Sequence, residues 1–195
     1  MFINKYLSIF VLAFKSNLMT TKQILRIMHI LVWIAFLGTC IKTGAILYSF
    51  FVSLFLNPEG AKNLFMGLNL SELYSYNTRH YITIVFYIIC VSLLKALITY
   101  LVIKIFLKIN FAHPFSVNVS SLITRISYVA LGIGVLALIG TAYSEWLIKR
   151  GVTLPPLHDY LGGAADFLFF GGIIFIISLV FKRGIEIQSE NELTV

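Results

Sequence analysis

Four long apolar runs, at about 30–56, 81–107, 122–148 and 164–181, set the first constraint on this chain. A helix needs about 20 apolar residues to cross the hydrocarbon core of a bilayer. The first three runs meet that length; the fourth is shorter and contains Gly171-Gly172. The runs cannot be the buried helices of a soluble protein, because only 12% of the residues are charged. A soluble domain carries about a quarter, and half that share leaves too little polar surface to coat a globule. A soluble enzyme, a disordered chain and a disulfide scaffold are excluded. The expected fold is all-α, an integral membrane four-helix bundle.

Proline and glycine mark the connections. Asn57-Pro58-Glu59-Gly60 follows the first run, His113-Pro114-Phe115-Ser116 precedes the third, and Pro155-Pro156 precedes the fourth. Ser116 is placed to cap the third helix. The first 19 residues form an N-terminal extension with two readings. Nine apolar residues after Lys5 are too few to span and lack a small-x-small cleavage site, so they suit an interfacial helix. Alternatively, Met19 is the true start.

Basic residues set the orientation. With both termini inside, the inner side holds Lys5, Lys15, Lys22, Arg26, Lys104, Lys108, Arg125, Lys182 and Arg183. The outer side holds Lys62, Arg79, Lys149 and Arg150. This bias favours cytoplasmic termini. The net charge of +7 is thus a topology signal rather than a nucleic-acid footprint. Trp33, Tyr81, Tyr143 and Trp146 are placed as interfacial aromatics.

Helices in lipid associate through small residues that let backbones approach. The third run carries Ser127, Ala130, Gly134, Ala137, Thr141 and Ser144 on one face; the first carries Ala35, Gly38, Lys42, Ala45 and Ser49. The expectation is close packing of the first and third spans. Such a seam is also compatible with a homo-oligomer.

Lys42 and Lys95 lie near the middle of their spans, where a charge costs roughly 2.5–3.5 kcal/mol on insertion scales. Ser92 and Thr99 bracket Lys95 at i−3 and i+4. Side chains lean toward their own helix N-terminus, so Lys42 is expected to lean inward and Lys95 outward. Asp166 is the first choice of partner for Lys95. Lys42 lacks an obvious carboxylate and is either neutral or met by water, a carbonyl or a lipid phosphate. The functional reading is a polar cavity that binds an anionic ligand or senses a membrane change; the structural reading is one paired and one hydrated lysine. No catalytic constellation, cofactor motif or metal-ligand spacing is present in the sequence, and Cys40 and Cys90 fit no redox motif. The expectation is a protein that is not an enzyme, uses no cofactor, and does not contact nucleic acid directly; membrane lipids are its first partners.

After Lys182-Arg183 the chain turns into an acidic tail at 184–195, with Glu186, Glu190 and Glu192. Arg183, Gln188 and Asn191 complete a candidate docking peptide. The tail FKRGIEIQSENELTV, from Phe181 to Val195, and the Pro114-Phe115-Ser116 turn resemble the domain of unknown function 2975 family (DUF2975), small four-span bacterial membrane proteins. The resemblance covers about residues 20–195. Members of that family are often encoded beside a small helix-turn-helix regulator, which implies a cytoplasmic partner of that type. The leading expectation is a membrane regulator or sensor engaging it through the loop at 104–121 and the tail. The alternative is a small transporter or channel component with Lys42 and Lys95 on an anion path.

Overall fold

The computed structural model describes residues 21–109 and 115–193. The extension at 1–19 and the His113-Pro114 part of the turn lie outside them. Four long helices follow in order: α1 (Thr21–Phe55), α3 (Thr78–Lys108), α4 (Val117–Ile148) and α6 (Ala164–Leu193). Two short ones, α2 (Ser71–Tyr76) and α5 (His158–Leu161), lie in the connections with a 3-10 turn at Pro58–Lys62. The fold is the expected all-α bundle, and its four long helices are apolar and long enough to cross a membrane. Strands are absent among the described residues.

Polar side chains start the helices where the backbone would otherwise leave donors unpaired. Asn57 Oδ1 accepts from Glu59 N at 2.9 Å, Asn77 Oδ1 from Arg79 N at 2.8 Å, and Ser116 Oγ from Val119 N at 3.3 Å. The Ser116 cap therefore matches expectation.

The long helices pack as sequential antiparallel neighbours: α1 on α3, α3 on α4, α4 on α6. Ser53 shares a 2.6 Å hydrogen bond with Tyr81, Phe36 meets Tyr100, and His29 stacks on Phe106. Tyr81 is accordingly fully buried rather than interfacial. Trp33 stays exposed and donates to His29 Nε2 at 2.9 Å.

The expected pairing of the first and third spans is corrected. The α4 stripe is buried at Ser127, Ala130, Gly134, Ala137 and Ser144, with Thr141 exposed, but its partner is α6. A Cβ at Gly134 would lie 2.6 Å from Leu168 Cγ, and one at Gly171 would lie 2.9 Å from Leu131 N. The α1 stripe leaves Ala35 and Gly38 exposed, because the main packing of α1 is on α3 and the 3-10 turn. Among the described residues no extensive contact joins α1 and α6.

Both connections at one end fold back into the bundle and form a cap. Gly60 abuts α1, where a Cβ would meet Ser53 N at 3.1 Å and Ser49 O at 3.3 Å. Leu64, Leu68, Leu70 and Leu73 then bury completely against α1 and α3. On the other side Leu161 reaches Gly140, far below the end of α4. The pairings of Gly134 with Leu168 and Leu131 with Gly171 put the start of α6 level with residue 138. That is about ten residues short of the end of α4, or roughly 15 Å at about 1.5 Å per residue. The fourth run looked short because its helix begins inside the bundle.

Adjacent glycines test the α4–α6 contact. Gly171→Ala drives a methyl into the Leu131 backbone, whereas nothing lies within 4 Å of a Cβ at Gly172. In detergent unfolding, Gly171→Ala is expected to lose about 1–3 kcal/mol and Gly172→Ala to be neutral or slightly more stable.

Candidate functional site

The two intramembrane lysines occupy one level. The α1–α3 pairings place Lys42 opposite residue 93, about half a turn from Lys95. Each lies within the other's electrostatic range. Lys95 extends toward the cap, along the usual lean to its helix N-terminus. Its Nζ stands 5.3 Å from the Phe167 ring centroid. Lys42 was expected to lean the opposite way and does not. Its Nζ reaches the cap, 6.0 Å from the Phe65 ring and 5.4 Å from the Tyr160 ring. The aromatic faces of both re-entrant loops attract it against the rotamer preference, a contact worth about 0.5–2 kcal/mol.

Gly162 makes room for this arrangement. Its backbone has φ 85° and ψ 165°, a region occupied almost solely by glycine. A Cβ there would lie 3.0 Å from Lys95 Nζ and 3.0 Å from Phe167 Cε2. Tyr160, two residues earlier, ties the loops together: its hydroxyl donates toward the Met66 carbonyl at 3.3 Å, with the Phe65 carbonyl at 3.5 Å.

The expected ion pair between Lys95 and Asp166 is not formed. Among the described residues the salt bridges are Lys62–Glu59, His158–Asp159 and Arg183–Glu186. Asp166 sits in the first turn of α6 and folds back over Gly163, where its charge complements the positive helix start. Asp159 is within electrostatic range of Lys42 but beyond ion-pair distance.

Of the two hydroxyls bracketing Lys95, Thr99 bonds its own helix at Ala96 O, 2.8 Å away. Ser92 lies one turn nearer the cap, is 3% exposed, and its Oγ has no hydrogen-bond partner. A buried hydroxyl without a partner costs about 1–3 kcal/mol. Lys42, Lys95 and Ser92 thus form a cluster rich in donors, with no carboxylate in contact. Such a set of donors offers hydrogen bonds that an acceptor-only group could take.

At the opposite end of the bundle, the turn before α4 meets the tail. Phe115 packs edge-on against Phe181 at 5.3 Å, and its ring fills the notch at Gly184. The tail continues as helix to Leu193. Arg183 Nη1 donates to Glu186 Oε2 at 2.8 Å, and Gln188 and Glu190 are engaged in interactions of their own. The side chains of Asn191 and Glu192 lie outside the described residues.

Of the residues gathered here the sequence singles out both lysines and Ser92, whereas Phe65, Tyr160, Gly162 and Phe167 are brought to them by the fold. The signals were the Gly162-Gly163 pair and the shortness of the fourth run, which mark an interrupted membrane helix.

A family model described as protein of unknown function (DUF2975) matches residues 66–195, and the chain belongs to that family. The matched segment is shorter than the resemblance at 20–195; it contains Ser92, Lys95, Gly162 and the Phe115–Gly184 contact, and it begins after Lys42 and Phe65. No curated protein and no solved structure matches the chain.

Gly162→Ala is expected to destabilise the bundle by about 1–3 kcal/mol through backbone strain. Tyr160→Phe is expected to cost about 0.5–1.5 kcal/mol by removing one hydrogen bond. Chemical denaturation in detergent measures both.

Proposed function

We propose that the protein is a non-enzymatic membrane receptor of the bacterial cytoplasmic membrane, which binds an anion beneath its cap and reports occupancy to a cytoplasmic partner. The observation that carries this reading is the path of α6. The helix starts beside Lys95, at Gly162 and Gly163, and runs unbroken to the tail at Leu193. A rigid helix whose start contacts a ligand and whose far end meets a partner joins the two sites in one element. Both termini are cytoplasmic in this reading. Lys104, Lys108, Arg125, Lys182 and Arg183 cluster at the tail end, in accord with the positive-inside rule. The partner is a small helix-turn-helix regulator, and it docks on the surface shared by Phe115, Arg183 and Glu186.

The re-entrant loops favour one competing reading, anion transport. Transporters place interrupted helices around a midplane site. The two readings differ in where they are sensitive.

Pull-down of a small helix-turn-helix regulator of the type encoded beside members of the family is expected to succeed with the full chain and to fail after deletion of 184–195. Capture that survives the deletion contradicts docking through the tail. Chloride or phosphate flux into proteoliposomes, unaffected by the same deletion, would establish the transport reading instead.

A further inference from the structure

We infer that the anion taken beneath the cap is the carboxylate of a long-chain fatty acid, which enters sideways from the bilayer between α1 and α6. This rests on the receptor reading and names its ligand class.

Charge is the first argument. Lys42 and Lys95 present two amines at one level, and among the described residues neither has a carboxylate within ion-pair distance or a hydrogen-bond acceptor. Ser92 adds a hydroxyl that is 3% exposed and unpartnered, on the same helical face one turn toward the cap. Two amines and a hydroxyl match the acceptor lone pairs of one carboxylate.

The surroundings are the second argument. The rings of Phe65, Tyr160 and Phe167 stand beside the amines, so the immediate surroundings of the donors are apolar. An apolar site with a few convergent polar groups suits an amphiphile better than a hydrated inorganic ion. Access is the third. Among the described residues α1 packs on α3 and the 3-10 turn, α6 packs on α4, and α1 and α6 share no extensive contact. Above the lysines the route from the aqueous face is filled by Leu64, Leu68, Leu70 and Leu161, all buried. The open direction leads to lipid.

Depth separates a carboxylic acid from a phospholipid headgroup. The lysines lie roughly 16–20 Å from the Ser53–Tyr81 contact near the cap. A carboxylic acid crosses hydrocarbon as the neutral acid and transfers its proton to a lysine or to water on ionising. A phosphodiester keeps its charge throughout, and burying an unpaired charge is prohibitive.

The test uses the full chain in phosphatidylcholine nanodiscs and a photoreactive diazirine analogue of palmitic acid. Labelling is expected to saturate, to map to α1, α3 or α6, and to be competed by oleate at least tenfold better than by oleyl alcohol. Lys42→Gln and Lys95→Gln are each expected to weaken labelling at least tenfold, and Thr99→Ala to leave it unchanged. The acid-against-alcohol comparison uses the wild-type chain, so it decides the matter even where a lysine variant fails to fold. Labelling that does not saturate, or that the alcohol competes equally, overturns the proposal. Preferential competition by phosphatidylglycerol or by inorganic phosphate overturns the fatty-acid assignment and leaves the receptor reading standing. Absence of competition by any anion overturns both.

Discussion

Backbone that is not helical cannot leave its N–H and C=O groups unpaired in hydrocarbon; inside a membrane it survives only when buried in protein or lining a cavity. The cap of this protein lives under that constraint. Trp146 stacks on Tyr143 near the end of α4, in the manner of an interfacial belt, yet α6 starts well below that level. The loop that joins them must therefore dip, and so must the loop from Asn57 to Asn77. Each satisfies itself internally. Leu64 N bonds Leu68 O at 2.9 Å, Leu70 N bonds Ala61 O at 2.8 Å, and Gly162 N bonds His158 O at 2.7 Å. The larger cluster of buried residues sits at this end, around Ile46, Leu64, Leu73, Ile88 and Leu161. Only a small cluster of Leu101, Leu122 and Ile126 sits toward the tail.

Once the cap dips, the position of the lysines follows. Lys42 and Lys95 are close enough to its aromatic rings to be held, and too deep for a stem of about 6 Å to reach bulk water along the helix. Glycines grant the close approaches: Gly60 against α1, Gly162 beside Lys95, Gly134 and Gly171 between α4 and α6. The same α6 that closes the lysine site ends in the helix whose notch receives Phe115. The architecture thus places a pair of half-buried amines at one end of a long helix and an exposed polar segment at the other.

Most of the architecture was legible in the sequence. Apolar run lengths locate all four spans because hydrocarbon thickness fixes helix length. The Ser116 cap is local chemistry, visible without tertiary information. The partner of each stripe was not legible. A run of small residues says that something approaches α4, and sequence cannot distinguish α1 from α6. The carboxylate partner failed for a related reason. Asp166 lies at a helix start that complements its charge locally, and its exposed side chain folds over Gly163 without reaching ion-pair distance of Lys95. Phe65 and Tyr160 were invisible because the loops that carry them read as ordinary turns; only the shortness of the fourth run hinted that one of them re-enters. The contact between Phe115 and Gly184 joins two motifs noticed separately, and a sequence gives no measure of such a distance.

The account holds that Lys42 and Lys95 are kept for a ligand and not for the fold. A mid-membrane charge costs roughly 2.5–3.5 kcal/mol, and a contact with an aromatic face returns only about 0.5–2 kcal/mol. Equilibrium unfolding of Lys42→Met and Lys95→Met in ligand-free detergent tests this balance directly. Each variant is expected to be more stable than the wild type by about 0.5–3 kcal/mol, the difference between those two magnitudes. A loss of stability in either variant would contradict the account, because it would show that lysine holding the bundle together.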